Sequence, residues 1–205
     1  MPSLDPDNLT FEYGCVYNGI PGPEHDPEDY PMLWTVRVTA YLRSDERGDD
    51  NSDEVHVGAA MFYIVPDVEE IDLLDTLDAV SQELYNVAHM LTEERADLLP
   101  SVHPDLLYLQ SVQVKPEFRG HGVGHTILQA ILATVGRGVG RVVLMPAPIL
   151  RDEEGKWIEG APEEDTAEHL RIQESLKRYW MDFGFIEATP TYLYLDATEK
   201  RDSPR

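Results

Sequence analysis

One stretch of the chain, VQVKPEFRGHGVG at residues 112–124, combines residue types that can bind an anion. Apolar residues of strand character lead into Pro116, and three glycines then precede a run with helical spacing. A helix that begins directly after such a turn presents unpaired backbone N–H groups and the positive end of its dipole at one point. Glycines there let phosphate oxygens approach the backbone. The stretch therefore predicts an anion site, while a tight turn that needs glycine only for positive φ remains the structural alternative.

Two other glycine motifs do not fit these residues. A P-loop ends in Gly-Lys-Ser or Gly-Lys-Thr, whereas Gly124 is followed by His125 and Thr126. A dinucleotide-binding fingerprint has the spacing Gly-x-Gly-x-x-Gly, whereas Gly120, Gly122 and Gly124 are each two residues apart. The sequence therefore disfavours NAD as a ligand.

Metal binding and nucleophilic catalysis find little support. His121 and His125 are four residues apart, which is a possible zinc pair, but they straddle the junction of turn and helix and no third ligand is indicated. We expect them near the bound anion or in solvent, and we expect no metal. The chain contains no Gly-x-Ser-x-Gly, and Cys15 has no local signature of a nucleophile.

Arg119, Gly122 and Gly124 resemble the acetyl-CoA motif of the GNAT acetyltransferase superfamily. That motif is Arg or Gln, two variable residues, Gly, one variable residue, and then Gly or Ala. The preceding residues 112–117 look like the strand and turn that come before the motif in that family. A second block, LKRYWMDFGF at residues 176–185, is similar to the family's last helix and its Gly-Phe entry into the next strand.

The resemblance implies an α/β (α+β) fold with a mixed, mostly antiparallel central sheet, flanking helices and a V-shaped split between the strands near residues 106–114 and 142–145. It implies one domain over residues 1–205, with an ordered core at about 9–195. The pantetheine arm of the co-substrate acetyl-CoA would lie in the split. The residues implied for binding it belong to the strand edge and the following turn: Val112, Gln113, Val114, Arg119, Gly120, His121, Gly122, Val123 and Gly124.

The implied chemistry is direct acyl transfer to an amine. The neutral amine attacks the thioester, an oxyanion forms, and the thiolate leaves with a proton. The strand before the turn has no carboxylate that could serve as a base, since its polar choices are Tyr108, Gln110 and Gln113. A water chain is therefore the expected route for the amine's proton.

The acid of this reaction is predicted near the end of the last helix. The family often places a tyrosine four residues before the glycine that ends this helix, and that position is Trp180. Tyr179 lies one residue earlier, about 100° around the axis, on the face of Ile172 and Leu176. We predict Tyr179 as the catalytic acid, with Tyr108 as the alternative, and a purely structural place for Tyr179 in the core stays open. Because Trp180 occupies the family's position, a catalytically silent acyl-CoA-binding sensor or interaction module is the alternative function.

Hydrophobic spacing predicts the elements that must position these residues. Strands are predicted at residues 9–17, 33–42, 55–65, 106–114 and 142–145, with one or two closing strands within 185–195. Helices are predicted over residues 71–91, over 127–135, and from a capping pair of Asp165 and Glu168 to Phe183. Connections are predicted at residues 18–31, 43–53 and 151–164.

The charge balance limits the partners. The 205 residues include 16 Lys and Arg against 39 Asp and Glu, a formal charge of −23. Nucleic acid and anionic membranes repel such a chain, so we expect a small-molecule or peptide amine, possible attraction of a cationic one to the acidic segments, and no nucleic-acid or membrane partner. A single cysteine and a start, MPSLDPDN, without signal-peptide character predict a cytoplasmic protein. A homodimer stays open.

Overall fold

A mixed β-sheet forms the centre of the protein. The computed structural model describes residues 8–16, 30–43, 52–99, 102–149 and 166–198. In these residues seven strands lie in the order β1-β2-β3-β4-β5-β7-β6, and neighbours are antiparallel except β4 and β5. Their bounds are β1 Leu9–Val16, β2 Met32–Arg43, β3 Ser52–Val65, β4 Asp105–Val114, β5 Val139–Leu144, β6 Ile186–Glu187 and β7 Leu193–Asp196. The predicted mixed, mostly antiparallel sheet is confirmed.

Helices cover both faces of the sheet. The described α-helices are α1 Leu73–Asp78, α2 Gln82–His89, α3 Val123–Thr134 and α4 Ala167–Phe183. Successive strand residues point to opposite faces, so Leu107 and Leu109 pack in one core with α3 and α4, whereas Leu106 and Tyr108 pack in a second core with α1 and α2. None of the described helices is long and apolar enough to cross a membrane.

The single helix predicted over residues 71–91 is wrong, because the chain breaks after α1. Ser81 has extended backbone angles, and its hydroxyl accepts the N–H of Leu84 at 3.2 Å, which starts α2 as a separate helix. A π-helical turn, Met90–Glu94, then follows α2. Leu77 and Leu84 are both fully buried, whereas Val80 is exposed. The apolar spacing thus continued across a break that the serine cap imposes.

The last helix begins one residue later than predicted. Thr166 is the N-cap, and its hydroxyl accepts the N–H of His169 at 3.2 Å, so the predicted capping pair of Asp165 and Glu168 is replaced. Asp165 lies outside the described residues, as do most of the predicted connections. The predicted end is confirmed, since Gly184 closes the helix at φ 117°.

The predicted split separates β4 from β5. The two strands are paired from Asp105 opposite Val139 to Leu109 opposite Leu144. β4 then continues through residues 110–114, of which 111–114 pair with β3, while β5 ends. In the described part of the chain, one edge of residues 110–114 therefore has no strand beside it.

Candidate active site

A cleft of about 700 Å³ opens at the split, and we call it the cleft below. One wall consists of residues 109–116, which are the second half of β4 and the turn that follows. The other wall consists of residues 144–149 and of Ile172, Leu176 and Tyr179 on α4. Its volume is typical of sites for small molecules, which range from about 300 to 1,000 Å³.

The free edge of β4 offers main-chain groups to the cleft. Val112, Gln113 and Val114, which the sequence predicted as binding residues, all line it. β3 lies very close to this part of β4, as seen at Gly58, where an added Cβ would collide with the carbonyl oxygen of Gln113. An extended arm with amide groups could pair with this edge as a further strand would.

The turn of residues 119–124, called the glycine turn below, leads from β4 into α3. Phe118 is buried and anchors its beginning. Gly120 and Gly122 have φ of 81° and 71°, and a Cβ at either would meet no described atom within 4 Å. Both therefore need glycine for their conformation, and both leave open space at the N-terminus of α3. Positive φ at these positions therefore agrees with the turn alternative, and the anion site stays a prediction for which the open space leaves room.

Basic side chains surround this end of the cleft. His56, Lys115 and Arg119 line it, although the chain as a whole is strongly acidic. The Nε of Arg119 donates to the carbonyl oxygen of Val114 at 2.9 Å, which ties the turn to the end of β4. The side chain of His121 is exposed, and His121 does not line the cleft, so the structure does not bring this predicted binding residue to the site.

Tyr179 lines the cleft and contacts the first turn of α3. Its hydroxyl accepts the backbone N–H of His125 at 3.0 Å. Burial raises the pKa of the Tyr179 phenol, against the lowering effect of the N–H groups of His125 and Gly124. The phenol is therefore protonated at neutral pH. Because its oxygen already accepts an N–H, its own proton is available to another acceptor.

His125 holds Tyr179 rather than lying near an anion or in solvent, which corrects the sequence expectation. The two rings stack with centroids 4.0 Å apart, and Nε2 of His125 lies 2.8 Å from the backbone carbonyl oxygen of Tyr179. The imidazole also contacts Trp180 and Phe183. This aromatic group packs α3 against α4, and Trp180 belongs to the buried core.

Tyr108, the alternative acid, is not brought to the cleft. Its side chain is 1% exposed and packs in the core beside α2, and its hydroxyl donates to Oε1 of Glu83 at 2.6 Å. Burial first, and the Glu83 carboxylate second, raise the pKa of Tyr108 far above the ordinary value. We therefore assign no role in the cleft to this phenol.

Sequence analysis missed Glu83 altogether and gave Gln110 no role. Nε2 of Gln110, which lines the cleft, donates to Oε2 of Glu83 at 2.8 Å. The two residues are 27 positions apart, and no local motif marks Glu83 in the first turn of α2. Only the packing of α2 on the sheet reveals this carboxylate beside the split.

The structure also bears on metal binding. The described residues contain no group of three or more His, Cys, Asp or Glu that could hold a metal ion.

No family model and no curated protein matches the chain. Among solved structures, it is similar to the loading GNATL domain of CurA from Lyngbya majuscula, at 16% identity over 84% of this chain and 78% of that one, with a TM-score of 0.36. It is also similar to arylalkylamine N-acetyltransferase 2 from Aedes aegypti, at 12% identity over 79% and 70%, with a TM-score of 0.34.

Proposed function

We propose that the chain is a GNAT-type N-acetyltransferase that transfers an acetyl group from acetyl-CoA to an amine. The observation that carries the proposal is the meeting of three features in one cleft: the free edge of β4, the glycine turn at the start of α3, and Tyr179. They offer, in that order, hydrogen bonds for an extended arm, N–H groups for a pyrophosphate and a proton for a leaving sulfur.

The residues present fit acetyl-CoA. The space beside Gly120 and Gly122, which a Cβ would fill, leaves room for phosphate oxygens at the positive end of α3. Val112 and Val114 would hold the arm through the β4 edge, and Arg119 and Lys115 would add positive charge at the mouth. Because Tyr179 already uses the N–H of His125, we assign the pyrophosphate to the earlier N–H groups of the turn.

Tyr179 would act as the general acid. When bound, acetyl-CoA supplies the thioester carbonyl that the amine attacks. The stacked ring of His125 and the hydrogen bond to its backbone hold the Tyr179 oxygen in place. Because the raised pKa keeps the proton on that oxygen at neutral pH, the phenol would be present in the form that can donate a proton to the sulfur as it leaves.

The acceptor is proposed to be a small-molecule or peptide amine. A formal charge of −23 attracts cations over distances of about the Debye length, so a cationic amine would be drawn to the surface. We further propose that the protein acts in the cytoplasm and that residues 1–205 form a single acyltransferase domain.

Two measurements on the full chain test the proposal. Calorimetry with CoA measures binding, and release of free thiol from acetyl-CoA measures turnover with 2-phenylethylamine, spermidine and a short peptide with a free N-terminus. We expect CoA to bind and at least one amine to be acetylated, with the product identified by mass. Absence of CoA binding would refute the proposal. Tight CoA binding without turnover of any amine would favour the acyl-CoA-binding sensor instead.

A further inference from the structure

Gln110 occupies a special position in the sheet. Phe62 of β3 is opposite Leu109, and Met61 is opposite Ser111, so Gln110 is an extra residue without a counterpart on β3. Such a β-bulge redirects a side chain and is common beside active sites. The pairing of β4 with β5 also ends at Leu109. Gln110 therefore stands at the point where the cleft begins.

Glu83 fixes the orientation of the Gln110 amide. Nε2 of Gln110 donates to Oε2 of Glu83, and Oε1 of Glu83 accepts the hydroxyl of Tyr108. An ionised carboxylate can only accept hydrogen bonds, so the amide must turn its nitrogen toward Glu83 and its oxygen away. Tyr63 and Tyr192 are the other titratable groups near this carboxylate, and burial raises the pKa of both phenols, which keeps them neutral.

The oxygen of the Gln110 amide makes no hydrogen bond to the described residues. This atom, Oε1, is also shielded from solvent. A buried carbonyl without a partner is unfavourable, so a donor that reaches it gains a full hydrogen bond. Because Gln110 lines the cleft, a small adjustment of its side chain would bring this oxygen within reach of a donor bound there.

We propose that Oε1 of Gln110 accepts an N–H of the amine acceptor and that Glu83 is the positioning residue that presents it. This inference rests on the proposed N-acetyltransferase function and adds to it the recognition point for the amino group. The negative charge of Glu83, one hydrogen bond behind the amide, favours a primary amine that arrives as a cation. The amine would enter on the α2 side of β4, where Glu83 and Tyr108 lie.

Steady-state kinetics with spermidine and 2-phenylethylamine as probes test the inference. Gln110→Leu replaces the amide by a somewhat shorter apolar side chain, and Glu83→Gln lets the Gln110 amide bond with either its oxygen or its nitrogen toward residue 83. We expect Gln110→Leu to raise KM for the amine roughly tenfold, the loss of one hydrogen bond to a charged group. KM for acetyl-CoA and the Kd of CoA should stay unchanged. Gln82→Leu, an exposed glutamine on the same helix as Glu83, is the matched control.

The double variant separates positioning from a merely structural role. If Glu83 acts through Gln110, the double variant Glu83→Gln with Gln110→Leu has the same amine KM as Gln110→Leu alone. The inference would be overturned if the two substitutions raised the amine KM by independent factors that multiply in the double variant, or if KM rose equally for the amine and for acetyl-CoA. Either result would leave the proposed enzyme function intact. Should Gln110→Leu not fold, Gln110→Asn, whose shorter amide cannot span to Glu83, takes its place. Calorimetric binding of spermidine to the CoA complex gives the same comparison without turnover, and equal affinities for parent and variant would refute it.

Discussion

The hydroxyl of Tyr179 lies 3.0 Å from the backbone nitrogen of His125 and accepts its N–H. A Cβ at Gly122, directly before this helix, would meet open space, whereas the N–H of His125 holds the phenol that we propose as the acid. Under the proposed function the same turn would position both ligand binding and proton donation, and substitutions there would separate the two.

Removing the Tyr179 hydroxyl should impair the chemical step. We expect Tyr179→Phe to lower kcat by about 10²-fold or more, the usual contribution of general acid catalysis, with the Kd of CoA unchanged. Because the N–H of His125 loses its partner, the free energy of unfolding should fall by about 1 kcal/mol. Thiol-release kinetics measure kcat, and calorimetry measures the Kd of CoA and the free energy of unfolding. Tyr85→Phe, on α2, is the control, and an undiminished kcat in Tyr179→Phe would exclude this phenol as the acid.

Adding one methyl group at Gly124 should displace the same phenol. A Cβ there would lie 2.6 Å from the Tyr179 hydroxyl oxygen and 3.4 Å from two ring carbons. We expect Gly124→Ala to lower stability by about 1–3 kcal/mol, despite the better helix propensity of alanine, and to lower kcat. In a Tyr179→Phe background the stability loss should shrink, because the closest atom is gone. Equal losses in both backgrounds, measured by urea unfolding, would contradict the contact.

Charge at Gly122 should decide CoA affinity. Asn and Asp both tolerate a left-handed backbone such as the φ of 71° at this position, and they differ only in charge. We therefore expect Gly122→Asp to bind CoA at least about tenfold more weakly than Gly122→Asn, through repulsion of the pyrophosphate. The difference should shrink as salt rises. Equal affinities for the two variants by calorimetry would place the anion elsewhere.

Stability should fall at alkaline pH because of Tyr108. Its pKa is raised in the folded protein, so the unfolded chain, with a tyrosine pKa near 10, loses this proton first. The unfolded state then binds fewer protons than the folded one, and the free energy of unfolding decreases as pH rises above about 10. Tyr108→Phe should make this decrease shallower, and exposed Tyr41→Phe is the control. If the free energy of unfolding, measured with urea, falls equally steeply between pH 9 and 11 in the parent and in Tyr108→Phe, the assignment is refuted.

Local patterns predicted the sheet well. The alternation of apolar residues fixed the strands to within a few residues, because each strand buries one or both faces. The same criterion failed over residues 71–91, where one hydroxyl, that of Ser81, ended the helix without interrupting the apolar spacing. A cap is a single hydrogen bond, and serines outside caps look identical in a sequence.

The site was predictable only where it depends on adjacent residues. Gly120 and Gly122 could be recognised because turn, helix start and cleft wall are consecutive in the chain. Glu83 could not, since its meeting with Gln110 requires α2 to pack on β4. Tyr108 was misplaced because β4 is still paired with β5 at that residue, before the split begins. The role of His125 likewise depends on how α4 crosses α3.

Most of the groups that the glycine turn and the β4 edge offer to a ligand belong to the main chain. Side chains there can be exchanged without removing a single N–H group, as long as Gly120 and Gly122 retain their positive φ. Nearly all of the surrounding sequence can therefore change during evolution while the backbone geometry is kept. A few glycines are the residues that must be retained. Relatives of such a protein are better sought by backbone conformation than by side-chain identity.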